Sequence, residues 1–456
     1  MIMSPRPLPM SPSYLAMVRG TRDLHQLLAA GKDDSPEADA IRDATDGPWQ
    51  VLSEAERNRI GGLSEDLYSL VEPPPAALPM NPQAQAKLSE AFEARHRGEW
   101  DRALNLLRRW RAYIDPALLG YLRGSIWLEA GDPATAALFL EHAFALEHGN
   151  ESYLALFLYA LNIADPAAAR ERAAEILREH TRYSPVAVSR AADIQFMSAW
   201  VTSEIEARRA FEFLEPILKS LLAGCERQDL SEVDRSSYVM SFALLGFGYQ
   251  LREEVQAARD CYSQALRLDP HNDALLVARG ILLYGTSDQA IDDFATAAQL
   301  GSPLVWPYVF LAHHNLLSRR FDECRKLCER VLAMNASVSV RSEVAEWLAI
   351  VQAGLGFPAE MVRAAFENAI RLDACNEQAK RNLAAFEAAN KPIADSGWET
   401  RSVRNARTWG LAEWRLAGIA GGVTTAGAAA GPGPWDYALR GIPGTQSPLL
   451  SPAVAS

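Results

Sequence analysis

Two stretches of this 456-residue chain say nearly the same thing. Ala265 to Asn272 reads Ala-Leu-Arg-Leu-Asp-Pro-His-Asn, and Ala369 to Asn376 reads Ala-Ile-Arg-Leu-Asp-Ala-Cys-Asn. Each copy closes a helical stretch with small and aromatic residues at matching places, and the two lie three structural units apart. A chain built this way folds as an array of similar units, each burying its apolar face against the next. Such an array points to a binding role and leaves the partner open.

The clearest unit runs from Val239 to Asn272. Phe242, Leu245, Gly246 and Tyr249 fall on one helical stripe, and after a break near Arg252 to Val255 a second stripe follows at Ala258, Tyr262 and Ala265. Gly246, Ala258 and Ala265 let two helices approach closely, while Phe242, Tyr249 and Tyr262 fill the space between them. Pro270 ends the unit because it cannot continue a helix.

This pattern resembles the tetratricopeptide repeat (TPR), whose period is about 34 residues. The resemblance implies an all-α fold, a right-handed superhelical solenoid of antiparallel helix pairs.

Weaker copies extend to both sides. Gly98, Ala103 and Leu107 have counterparts 33 positions later in Gly131, Ala136 and Leu140. Asp165, Pro166 and Ala169 continue the series in a unit ending near Pro185. Downstream, Gly280, Ala290, Phe294 and Ala297 repeat the pattern with a shorter inter-helix loop. Tyr308, Leu311, Ala312, Cys324, Cys328 and Val331 form the next pair, and Leu348, Ile350, Phe366 and Ala369 the last. Asn376 to Ala389 reads as a capping helix with a polar outer face.

The array is therefore expected over residues 84–389, divided by a longer, atypical helix pair at 186–236. There, Ser203 with Glu206 reads as a capping box, Pro216 as a kink and Gly224 as a helix end. Residues 1–80 hold a short helical segment and a Pro-rich linker. In it Ser35-Pro36-Glu37 opens one helix, and Ser53 with Glu56 opens another as a capping box. This segment is expected to form a small module or to dock on the array. Residues 390–456, rich in Gly, Ala and Pro, read as a disordered tail carrying Trp398, Trp409, Trp414 and Trp435. A sharper alternative is that this mildly basic tail binds something, the array included.

A net charge of −12 and a pI near 5.3 argue against nucleic acid as a general partner, since phosphate binding needs a basic face. The clusters Arg108, Arg109, Arg111 and Arg319, Arg320 read as solvated helix ends. Leu416 to Trp435 is uncharged for about a membrane span, yet it is mostly Ala and Gly with two prolines, so no membrane insertion is expected. Five scattered cysteines suit a reducing compartment, and the cytoplasm is the expected location.

No phosphate loop, His-Glu-x-x-His or Gly-x-Ser-x-Gly motif occurs, and no cofactor is expected. His313, His314, Cys324 and Cys328 are the one cluster with metal-ligand chemistry. Cys324 and Cys328, however, occupy the packing positions of Ala258 and Tyr262. The adjacent Asp292 and Asp293 diverge on a helix and read as solvated; His142 beside Glu141 reads as a surface or half-buried residue.

The resemblance further implies that ligands lie in a concave groove lined by the first helix of each pair. By register the inward positions are Leu88 and Phe92, Tyr121 and Ser125, Leu154 and Leu158, Ala243 and Phe247, Val277 and Ile281, Val309 and His313, then Trp347 and Val351. The family's Lys, Arg and Asn clamp for a terminal carboxylate is missing from these positions. An apolar, partly aromatic wall remains, with Phe92, Tyr121, Leu158, Phe247, Ile281, His313 and Trp347 as the candidate protein-binding residues. The alternative for each is packing between neighbouring helices. The expected function is a non-enzymatic scaffold or adaptor that holds an apolar or amphipathic segment of another protein. A regulatory subunit or enzyme with its site in the N-terminal module or tail is the alternative, and end-to-end self-assembly a third.

Overall fold

The computed structural model describes residues 11–70, 76–225, 230 and 232–389. Among these residues every regular element is helical: twenty α-helices and two short 3-10 turns. The helices divide into two compact units, Met1–Ala191 and Ala192–Ser456, whose boundary falls inside one long helix of the segment 186–236.

Unit 1 opens with α1 (Pro12–Ala29), α2 (Pro36–Val51) and α3 (Glu54–Tyr68), in which α1 packs against both others. Three helix pairs follow: α4 (Pro82–His96) with α5 (Trp100–Arg109), α6 (Pro116–Glu129) with α7 (Pro133–Leu146), and α8 (Glu151–Ala164) with α9 (Pro166–Arg178). The long helix α10 (Pro185–Thr202) begins in this unit. One local rule starts most of these helices. In α1, α2, α4, α6, α7 and α9 a proline sits in the first turn behind Ser11, Ser35, Asn81, Asp115, Asp132 or Asp165. The side-chain oxygen of each of those residues accepts a first-turn N–H, while the proline supplies a preset φ and gives up a donor the helix cannot use. Ser53 and Glu56 form the reciprocal capping box expected for α3.

Unit 2 continues with α11 (Glu204–Leu222) and the pairs α12 (Glu232–Leu251) with α13 (Val255–Leu268), α14 (Asp273–Leu283) with α15 (Gln289–Gln299), α16 (Trp306–Leu317) with α17 (Phe321–Ala333), and α18 (Val338–Gly354) with α19 (Ala359–Leu372). The final helix, α20 (Glu377–Ala389), packs on α19. From α11 to α20 each helix packs on the next along the chain, the arrangement of a stacked repeat.

One expectation in the atypical segment is corrected. Ser203 caps α11 by accepting the Glu206 N–H, but the Glu206 carboxylate turns outward to Arg209 at 2.7 Å instead of closing a box. The helix also runs on through Pro216 as a single element from Glu204 to Leu222.

The turns inside five of the seven pairs show why the sequence breaks where it does. Gly98, Gly131, Glu253, Arg319 and Gly356 all have positive φ, between 56° and 90°. In each case the next residue donates its N–H back to a carbonyl five positions earlier: Glu99 to Ala94, Asp132 to Trp127, Glu254 to Tyr249, Arg320 to Asn315 and Phe357 to Gln352. This is a Schellman closure, which satisfies a helix-end carbonyl and reverses the chain. It favours glycine, so Glu253 and Arg319 hold it under strain.

Packing within pairs follows the small-on-large register expected from sequence. A Cβ on Gly246 would stand 2.6 Å from the Tyr262 ring, one on Gly280 2.7 Å from Phe294, and one on Gly124 2.5 Å from Leu140. Each glycine is thus a slot for the large side chain of its partner helix. Ala103, Ala136, Ala258, Ala290 and Cys324 are fully buried at the corresponding place on the second helices.

Candidate binding surfaces

The N-terminal helices reach the array through a buried ion network. Asp66 on α3 is fully buried and accepts from Arg108 on α5 at 2.9 and 2.7 Å, and from Arg123 on α6 at 2.7 Å. Arg123 also donates to Ser69 Oγ at 2.9 Å. At the rim, Arg111 meets Glu65 at 2.6 Å and Arg59 meets Asp101 at 2.7 Å. Gly62 makes room for the arrangement, since a Cβ there would stand 2.5 Å from the Arg108 guanidinium. Two members of the arginine cluster read as solvated ends are therefore structural, because an acidic module folds back over them. Asp293 is corrected in the same way: it is buried and receives Arg279 at 2.8 and 2.7 Å.

The structure places all seven sequence-predicted groove residues in helix–helix packing. Phe92, Tyr121, Leu158, Phe247, Ile281, His313 and Trp347 are each at most 8 % exposed. Phe92 shares a small gap with Leu107, Leu122 and Ile126. Tyr121 stacks on Tyr153 with ring centres 4.8 Å apart. Phe247 is held edge-to-face by Phe196 at 5.5 Å and Trp200 at 4.9 Å. His313 lies between Trp347 at 5.3 Å and Tyr284, whose hydroxyl is 2.7 Å from its Nδ1. Their large apolar area is spent on neighbouring helices, so they act as a frame.

The cysteine–histidine cluster is also absorbed by packing. Cys324 and Cys328 are fully buried with Sγ atoms 3.8 Å apart, and among the described residues no group of three or more His, Cys, Asp or Glu is placed to hold a metal ion.

An open surface of a different kind lies in the N-terminal module. α2 and α3 flank α1 and leave a cleft of about 420 Å³. Its floor is His25, Ile60 and Leu67, its walls include Leu24 and Leu28, and Asp33 and Arg42 stand at its rim. Two aromatic side chains border it: Trp49 is 40 % exposed and Tyr68 54 %.

Both aromatics are braced from behind. Arg57 lies over the Trp49 ring at 5.5 Å and donates to the carbonyls of Trp49 and Gln50 at the end of α2. His25 meets the Tyr68 ring edge-on at 5.7 Å, and burial pulls the His25 pKa below its ordinary value. A braced, exposed aromatic loses little freedom when covered, which suits a protein contact. Sequence reasoning found the caps that open α2 and α3 but not the cleft. The available signal was a large aromatic near the end of each of two short flanking helices.

No family model matches the chain, and no curated protein does. Among solved structures it is similar to yeast Tom70, at 12 % identity over 79 % of this chain and 83 % of that one, with a TM-score of 0.30. It is also similar to the APC/C hetero-tetramer Cut9–Hcn1, at 15 % identity over 95 % and 97 %, with a TM-score of 0.28. The architecture rests on the geometry described above: sequential helix pairs, Schellman turns and glycine slots filled from the partner helix. The protein is TPR-like. Among the described residues no helix is long and apolar enough to cross a membrane, and Leu416 to Trp435 lies outside them.

Proposed function

We propose that the protein is a non-enzymatic interaction scaffold: the array serves as the frame, and a segment of a protein partner binds in the cleft between α2 and α3. The observation that carries this reading is the pair of braced aromatics, Trp49 and Tyr68, standing open beside an apolar floor. A cleft that is mostly apolar with a few charged groups at its rim is the ordinary form of a segment-binding site. The groove residues expected from sequence enter this reading indirectly. Their burial ties helices together within each unit, and the Asp66 network fastens the module to α5 and α6.

Affinity capture with the full-length protein, compared with a Trp49→Ala/Tyr68→Ala variant of unchanged thermal stability, tests the reading. Specific partners are expected to fall at least tenfold with the variant. Equal recovery from both proteins, or turnover of a substrate by the purified chain with no partner recovered, would overturn it.

A further inference from the structure

Three arginines on the α5–α6 face take their carboxylate partners from a single helix. Among the described residues, Arg108 pairs with Asp66 and Glu65, Arg111 with Glu65, and Arg123 with Asp66. No acid of the array pairs with any of the three among those residues. Without α3 this face would hold three guanidinium groups, one of them only 2 % exposed, and no carboxylate paired to them.

The helix α3 lies on the array through one stripe. Arg59, Gly62, Asp66 and Ser69 follow at spacings of three, four and three, which puts them on one helix face. Arg59 reaches Asp101 at 2.7 Å, and Gly62 leaves room for the Arg108 guanidinium. Asp66 and Ser69 both accept from Arg123. Glu65, beside Asp66, reaches Arg111 at 2.6 Å. The surface therefore reads two features of its occupant: adjacent carboxylates, and a glycine one turn before the second of them.

Asp66 does not use up the site, because Nε of Arg123 is buried with no partner among the described residues. A buried guanidinium deprived of its carboxylate is costly, so this surface exchanges one acid for another instead of standing open. Arg22 with Asp132 and Arg59 with Asp101 also set opposite charges across the same joint. Pairs of this kind confer specificity more than strength. The connection through residues 69–81 adds a local advantage to α3, an effective concentration on the order of millimolar.

We infer that α5 and α6 form a recognition surface for an acidic helix of another protein, and that α3 occupies it as a built-in competitor. The ligand class is a helix with two adjacent carboxylates and a glycine four residues before the second. This surface is separate from the cleft: Gly61, Ser64 and Tyr68 line the cleft, whereas Gly62, Asp66 and Ser69 meet the array. Binding of such a helix displaces the N-terminal module, which makes the module a gate on the array.

The probe is a fluorescein-labelled peptide of residues 54–70, held helical by a lactam bridge between Arg57→Lys and Gly61→Glu, two positions off the docking stripe. By fluorescence anisotropy it is expected to bind the full-length Glu65→Gln/Asp66→Asn protein at least tenfold more tightly than the wild type, where tethered α3 competes. Asp66→Asn or Gly62→Leu in the peptide is expected to weaken binding to that variant at least tenfold. Raising salt from 50 to 500 mM weakens it severalfold, through screening of the exposed pairs. In the wild type, millimolar probe is expected to raise hydrogen exchange across α1 to α3 and to leave α12 to α19 unchanged, a measurement that stands even if the variant fails to fold. Equal affinity for the two proteins, no binding to a folded variant, indifference to Asp66→Asn in the peptide, or unchanged exchange in the wild type overturns the inference.

Discussion

The hydroxyl of Tyr284 and Nδ1 of His313 lie 2.7 Å apart in the interior of the second unit, where both side chains are buried. Nε2 of the same imidazole is buried with no partner among the described residues, so the ring is accommodated as a neutral group. Burial, reinforced by neighbouring His314, holds the His313 pKa at about 4 against an ordinary value of 6.5.

That depression fixes the sign of a pH effect. The unfolded chain takes up a proton near pH 6.5 and the folded chain only near pH 4, so stability is full above pH 6.5 and declines as pH falls through this window. The loss by pH 4 is on the order of 3 kcal/mol. Urea melts of the wild type between pH 7 and pH 4.5 are expected to show it. In His313→Gln the overall stability at pH 7 drops by about 1–3 kcal/mol, and the part of the slope owed to this histidine disappears. An unchanged slope would show that another group titrates.

Asp66 joins the N-terminal module to the array, and its loss strands two guanidinium groups. Asp66→Asn keeps the shape and removes the charge facing Arg108 and Arg123. Breaking a buried pair in this way costs about 3–5 kcal/mol. Limited proteolysis is expected to cut the variant between α3 and α4 while leaving α12 to α19 protected. Cleavage equal to that of the wild type would remove the network from the account of how the module is held.

Glu253 and Arg319 occupy turn positions that glycine fills in Gly98, Gly131 and Gly356. Glu253→Gly and Arg319→Gly relieve left-handed strain and are each expected to stabilise the protein by about 0.5–1 kcal/mol, net of the added chain entropy. Raised melting temperatures for both single variants, additive in the double, are the readout. Lowered values would mean that the side chains themselves hold the turns.

Gly246 has the opposite requirement. A methyl group there meets the Tyr262 ring at 2.6 Å, so Gly246→Ala forces α12 and α13 apart and is expected to cost about 1–3 kcal/mol despite alanine's better helix propensity. Gly47, inside α2 with open space around it, provides the control for glycine replacement outside a packing slot. A Gly246→Ala protein as stable as wild type would show that the slot can widen.

The repeat was legible because its packing is local. Gly246 with Tyr262 and Gly280 with Phe294 are pairs within one hairpin, so their spacing in the chain is their contact in space. Helix starts were legible for the same reason: Ser35 before Pro36 and Ser53 before Glu56 satisfy donors three residues away. The role of the first-helix side chains was harder to read. Phe247, His313 and Trp347 fall at inward register positions, yet rings from other helices cover them.

The chain alone determined that helices form, where they start and stop, and that they pair with their neighbours, because hydrogen bonds and side-chain contacts within a hairpin span few residues. Only the tertiary structure decided that Asp66 would meet Arg108 and Arg123, 42 and 57 positions away, and that Trp49 and Tyr68 would border one cleft. Such meetings depend on how α1, α2 and α3 pack as bodies, and neither periodicity nor spacing records that packing.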